Sequence, residues 1–413
     1  MKKSISSRAK KISAIFALVY FSSYVMRINF AVMLVKVIAE MQVEKSALSI
    51  VLTALTLTYG VGQVISGVLG DKIKPQYLLT AGLGMASICN LAMFFSQSIP
   101  VMCVVWGING FAHALLWPPI VRMMSTYLSD EEYGYAAVRV SWGSSGATIL
   151  LYLVCPLLLY VTSWRVIMLG CALFGAAVTV FWTLINARLL GEERTASDGT
   201  ATTAPRAGIP VPKYVYLPIV LIMIGIVLQG MLRDGVTNWM PSYLLETFAL
   251  PEENAIIATV ILAVFSMISF YVFDLLHRKL LRNEVTCAAA IFILATVAAL
   301  VLYPISASLS APLPSMLLMA VIVAAMHGIN LMLITVVPKR FAKSGKVATY
   351  SGILNACTYV GAAISSYGFA ALAESFGWSF TILTWVIIAA LGAVVCFLTV
   401  PIWRRFLCEY VNK

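Results

Sequence analysis

Two arginines carry the chemistry this sequence offers. Arg27 falls within about 5 Å of the middle of an apolar run over residues 12–36, counted at about 1.5 Å per helical residue. Arg233 lies at a similar depth in a second run, over 213–245. A mid-membrane arginine costs at least ~2.5 kcal/mol to insert and usually faces a water-filled cavity. Its planar fork binds two oxygens of a phosphate or carboxylate at once and cannot deprotonate, so a pair of such residues reads as an oxyanion site. The alternative is that each arginine pairs with a carboxylate. Asp234 follows Arg233, but neighbouring helical positions point about 100° apart, so no pair is expected there. Within the first six apolar runs the sequence puts no carboxylate near Arg27.

Other polar residues surround these two in the pattern. Tyr20, Tyr24 and Arg27 recur at i, i+4, i+7 on one helical face, and Tyr59 and Gln63 at i, i+4 on another. Tyrosine hydroxyls beside an arginine would donate to anion oxygens; the competing reading is packing or interfacial tyrosines. His113 and His327 sit mid-run at corresponding places and are candidate coupling sites, or histidines bonded to a neighbouring helix. His277 lies in a basic loop and is given no role. Arg122 and Arg139 flank the acidic turn Asp130-Glu131-Glu132, and pairing with it would latch the inner face. Asp71, in the turn Gly70-Asp71-Lys72-Ile73-Lys74-Pro75, is expected to cap the following helix or latch to a neighbouring one. Asp71, Arg122 and Arg139 are therefore read as gating residues.

The elements that must position these residues follow from composition. The chain has 413 residues, 61% hydrophobic and 11% charged, with a mean hydropathy of +0.94. A soluble domain carries roughly 25% charged residues, so a soluble enzyme and a disordered chain are excluded. Runs such as Thr286 to Pro304 are too long for the strands of a membrane barrel. The expectation is an all-α polytopic membrane protein with twelve spans, near 12–36, 47–70, 77–95, 100–128, 134–161, 164–188, 213–245, 253–275, 285–304, 312–337, 347–373 and 378–401. The basic start imitates a signal peptide but shows no small-residue cleavage site before Arg27, so it is read as the first span. With the N-terminus inside, the inward segments hold 21 Lys/Arg and the outward loops 3, which assigns both termini to the cytoplasm. The net charge of +11 is that asymmetry rather than a nucleic-acid footprint. The eight cysteines form no CxxC pair, and no Walker loop or metal-ligand spacing occurs. No catalytic residue, metal or cofactor is therefore expected.

Gly191 to Pro212 is the one long polar segment, a linker rich in Ser, Thr, Pro and Gly. It divides the chain into an N-terminal six-helix half (1–190), a cytoplasmic linker (191–212) and a C-terminal six-helix half (213–413). The halves echo each other. Met26-Arg27 recurs as Leu232-Arg233, Asp71 as Asp274, and Gly146-Ala147 as Gly361-Ala362, at separations of 206, 203 and 215. A repeat near half the chain length is the pattern of a transporter built from two related bundles.

Twelve spans, the loop GDKIKP and the half-repeat resemble the major facilitator superfamily. Tyr24-Val-Met-Arg27-Ile-Asn29-Phe30, Trp117-Pro118-Pro119-Ile-Val-Arg122, Leu232-Arg233-Asp234-Gly235, Asn238-Trp239-Met-Pro241-Ser-Tyr243 and Phe376-Gly377-Trp378 resemble the organophosphate:phosphate antiporter family, which includes bacterial glycerol-3-phosphate and hexose-phosphate transporters. That resemblance implies two pseudo-symmetric six-helix halves and a phosphate clamp made by Arg27 and Arg233. It also implies tyrosines Tyr20, Tyr24, Tyr59 and Tyr359 around the clamp. The sequence departs from the family pattern at Ile28, Gln63, Asn238 and Thr259, where two intramembrane ion pairs are replaced as pairs, and at Gly143, where the family has a histidine. The arginines are kept and auxiliary cations lost, which leaves another organophosphate or another small organic anion open as substrate.

The expected function is secondary transport of a small organic anion, most simply an organophosphate exchanged for inorganic phosphate by alternating access. The alternative is a proton- or sodium-coupled carboxylate symporter using His113, His327 or Asp234. A membrane sensor of sugar phosphates is the third reading, disfavoured by a C-terminal tail of only 12 residues and a linker of 22. The expected setting is the cell membrane (plasma or inner), as a monomer among lipids, with no nucleic-acid partner.

Overall fold

A computed structural model describes residues 5–43, 45–196, 208–250, 258–306 and 312–411. Half of the linker expected over 191–212 (residues 197–207) and the start of the eighth expected span lie outside the described residues. Every regular element among the described residues is helical. In chain order these are α1 Ser7–Val32, α2 Leu34–Met41, α3 Lys45–Lys72, α4 Pro75–Phe95, α5 Ile99–Ala114, α6 Trp117–Tyr127, α7 Asp130–Leu159, α8 Trp164–Ala196, α9 Tyr216–Phe248, α10 Val260–Lys279, α11 Glu284–Ser306, α12 Pro312–Asn330, the short α13 Val337–Lys339, and α14 Val347–Phe406.

Eleven helical stretches among the described residues are long and apolar enough to cross a membrane. The last, Val347–Val411, runs for 65 residues. It contains Gly377 at φ 80°, ψ 173°, a conformation closed to L side chains, so two spans meet there. Divided at Gly377, it brings the spans to the expected twelve. Leu57, Leu153, Ile268 and Phe397 stand exposed along the helices, as side chains facing lipid would.

Local chemistry sets the boundaries. Ser6 caps α1 by accepting the Ala9 N–H. Ser129 and Glu132 form a capping box at the start of α7. The fourth expected span is broken: α5 ends at Ala114, and α6 restarts at Trp117-Pro118-Pro119, because prolines supply no N–H and fit only a first turn. The tenth passes through a π-helical stretch, Leu331–Val336, just before Pro338.

The chain divides into two compact units. Unit 1 holds residues 1–209 and 341–353; unit 2 holds 210–340 and 354–413. In unit 1, α1 packs on α7, α3 on α5 and α4 on α8. Its core has two apolar clusters, one around Phe16, Trp117, Tyr133 and Trp182, the other around Phe30, Trp106 and Trp164. In unit 2, α12 packs on α11, α10 and α9, around buried Phe292, Trp385 and Trp403. Each unit crosses two helices at a glycine. A Cβ on Gly143 of α7 would lie 2.5 Å from the Ala17 carbonyl oxygen of α1, and one on Gly361 of α14 would lie 2.1 Å from that of Val227 in α9. The close α1–α7 crossing is thus at Gly143, three residues before the Gly146 of the sequence repeat.

Candidate functional site

The Arg27 site is built on α1. The Arg27 guanidinium lies over the Tyr24 ring at 4.1 Å and the Tyr59 ring of α3 at 4.8 Å. Tyr20 meets Tyr24 edge-on at 5.2 Å and Trp117 at 5.0 Å, and the break before α6 carries that indole there. The predicted face of Tyr20, Tyr24 and Arg27 is therefore a continuous run of contacts, with Tyr20 and Tyr59 themselves buried.

Uncharged polar groups that the sequence reading did not assemble hold the back of α1. The Asn90 amide of α4 donates to the Met26 carbonyl at 2.9 Å, and that of Asn109 on α5 donates to the same oxygen at 3.1 Å. Asn29 donates to Asn90 at 2.7 Å. His113 of α5 places Nε2 2.8 Å from the Ser23 carbonyl oxygen and Nδ1 2.8 Å from that of Asn109. Buried amides need partners, and here the partners are carbonyls of the turn that carries Arg27. Asparagines inside apolar runs were the available signal; their spacing does not say which helix they face. Gln63 is wholly buried on α3, with its amide atoms bonded to no group among the described residues. The candidate coupling residue His113 and Gln63, which shares a helical face with Tyr59, are both buried.

In unit 2, Arg233 and Asp234 form a two-pronged ion pair, Nε to Oδ1 at 2.7 Å and Nη2 to Oδ2 at 2.8 Å. This overturns the expectation that neighbouring positions would not meet. The rule concerns the directions of Cβ atoms, whereas the arginine side chain is long enough to fold back onto its neighbour. α9 is tied to α12 by Gln229, which donates to the Met326 carbonyl at 3.0 Å. His327 packs edge-on against Phe270 at 5.5 Å. Tyr359 lies half-buried on α14.

The three residues of unit 1 expected to gate make contacts other than those expected. Asp71 does not cap α4, whose first residue is Pro75. It caps α14, accepting the N–H groups of Ala348 at 3.0 Å and Thr349 at 2.7 Å. Two carboxylate oxygens facing the positive end of a helix are stabilising. Arg122 approaches Asp71 at 3.9 Å and donates to the carbonyls of Gly70 and Ile73, so its latch is with the turn after α3 and not with the acidic turn. Of the acidic turn, Glu132 is bonded to Ser129 and Ser6. Arg139 lies over Tyr135 at 4.8 Å and Trp142 at 5.2 Å.

Residues 16–366 match the sequence profile of the Major Facilitator Superfamily. The chain belongs to the Major Facilitator Superfamily. With its apolar helices it is a multi-pass membrane protein. Among its relatives is the "Probable hexose phosphate transport protein" of Chlamydia trachomatis, 33% identical over 115 residues, which are 28% of this chain and 25% of that protein. The "Membrane sensor protein UhpC" of Escherichia coli is 26% identical over 256 residues, 58% of this chain and 57% of that protein. The "Glycerol-3-phosphate transporter" of Bacillus subtilis is 31% identical over 119 residues, 28% of this chain and 27% of that protein. The chain thus spans about a quarter to rather more than half of the length of these relatives. Their names agree with the resemblance of this superfamily member to the organophosphate:phosphate antiporters.

Proposed function

We propose that this protein transports a small phosphorylated solute across the cell membrane in exchange for inorganic phosphate, by alternating access. Both termini and the 191–212 linker are cytoplasmic in this reading, and the halves are 1–190 and 213–413. Arg27 and Arg233 both bind the anion, with Tyr20, Tyr24, Tyr59 and Tyr359 around it. The observation that carries the proposal is the Arg27 guanidinium, in the C-terminal part of α1 and oriented by the rings of Tyr24 and Tyr59. An aromatic face orients a guanidinium and leaves its charge in place, so the fork keeps its affinity for an oxyanion. The names of the hexose phosphate and glycerol-3-phosphate relatives support phosphate as the group recognised. Counterflow in proteoliposomes tests it. Vesicles loaded with phosphate are expected to take up labelled phosphate or an organophosphate without a pH or sodium gradient. Uptake that ignores internal phosphate and requires a proton gradient would put an ion-coupled symporter in its place.

A second reading is favoured by one observation: the longest of these matches is to a membrane sensor protein. A sensor binds the phosphorylated solute but gives no counterflow.

A further inference from the structure

The two ring nitrogens of His113 each lie 2.8 Å from a backbone carbonyl oxygen, one of Asn109 and one of Ser23. A carbonyl oxygen only accepts, so each contact calls for an N–H. A neutral imidazole has one N–H; it satisfies one contact and turns a lone pair on the other oxygen. Only the doubly protonated ring satisfies both. At 1% exposure, His113 has no bulk water to take over either contact.

We propose that His113 is a proton-binding site of this transporter and takes its second proton together with the anion bound at Arg27. The proposal rests on the anion site described above and adds the coupled ligand. The charged group on the α1 turn that His113 contacts is Arg27, four residues after Ser23. The remaining polar groups assembled around this turn are uncharged: the Ser23 and Met26 carbonyls of α1, Asn109 of α5, Asn90 of α4 and the Tyr59 phenol of α3 at the guanidinium. The link is short. The Ser23 carbonyl is the one that the helical i to i−4 pattern pairs with the Arg27 N–H, so the imidazole is bonded to the turn that carries the guanidinium. Two cations near one turn oppose each other. An oxyanion beside Arg27 supplies negative charge and lowers the cost of the second proton; by reciprocity the proton strengthens the anion. One proton then travels with each anion in either direction, so exchange needs no pH gradient. His327, in the corresponding helix of unit 2, is not equivalent: it is half-buried, packs on Phe270, and feels Asp234 as well as Arg233.

The test is binding of inorganic phosphate to the purified full chain, between about pH 8 and about pH 6, a range that brackets ordinary histidine titration. Phosphate ionises identically with every variant, so the difference between wild type and His113→Gln isolates the residue. Wild-type affinity is expected to gain up to about tenfold per pH unit over that of His113→Gln as the pH falls. Equal pH dependence in both, with phosphate bound by both, would overturn the proton site alone. Failure of the wild type to bind phosphate would overturn the anion site and the proton site with it. A second measurement covers the case in which His113→Gln does not fold. The chain has three histidines, so His277→Gln with His327→Gln leaves His113 as the only one for nitrogen NMR of labelled imidazole. Phosphate added at constant pH is expected to convert it to the doubly protonated form, and a ring that stays neutral at saturating phosphate would overturn the proposal.

Discussion

Arg27 and Arg233 occupy repeat-related positions and are housed in opposite ways. Arg27 lies across the faces of Tyr24 and Tyr59, on a turn whose carbonyls are bonded by Asn90, Asn109 and His113. Arg233 is gripped at Nε and Nη2 by the carboxylate of the next residue. Ring faces orient a guanidinium without cancelling its charge, whereas a carboxylate cancels it. The internal repeat therefore fixes where a cation sits in each unit but not what balances it. On this account the anion at Arg233 must compete with Asp234.

Breaking the ion pair gives the largest expected effect. Asp234→Asn leaves Arg233 largely buried without its carboxylate, which costs about 3 kcal/mol for a pair of this kind. The thermal midpoint in detergent should fall. An unchanged midpoint would mean that the carboxylate does not balance Arg233. The aromatic housing should matter less to stability and more to binding. Tyr59→Leu removes one cation–π contact of about 0.5–2 kcal/mol, a loss of roughly two- to thirtyfold in anion affinity, with folding preserved. A loss confined to stability would reduce the ring to packing. The smallest expected effect is at the gate. Asp71→Asn weakens the cap on α14 by about 1 kcal/mol and should change the transport rate while phosphate affinity stays at the wild-type value.

How much of this the sequence disclosed differs by feature. The spans follow from apolar run length, and Phe376-Gly377-Trp378 marked the separation of the last two. The break in the fourth span is less visible: Trp117-Pro118-Pro119 resembles a family motif, and two prolines after an apolar run also signal a restart. The ladder Tyr20, Tyr24, Arg27 was legible because one helix sets it. The carbonyl contacts of Asn90, Asn109 and His113 were not, because helical period says nothing of which neighbour a face meets. The Arg233–Asp234 pair runs against the spacing rule because that rule follows Cβ directions and not the reach of a long side chain. The role of Glu132 was readable in hindsight, since Ser129 three residues earlier makes a capping-box pattern.

The central claim is that the forked shape of each arginine, and not only its charge, holds the anion. The most direct measurement is phosphate affinity in Arg27→Lys and Arg233→Lys, with Arg122→Lys as the gate control. Lysine keeps the charge but offers a point ammonium in place of two parallel donors. Losing one charge-assisted hydrogen bond costs about 1.5–3 kcal/mol, roughly ten- to a hundredfold in affinity. The account predicts that loss in both variants with the protein still inserted, and a change of rate rather than affinity for Arg122→Lys. Wild-type phosphate affinity in both Arg27→Lys and Arg233→Lys would contradict it.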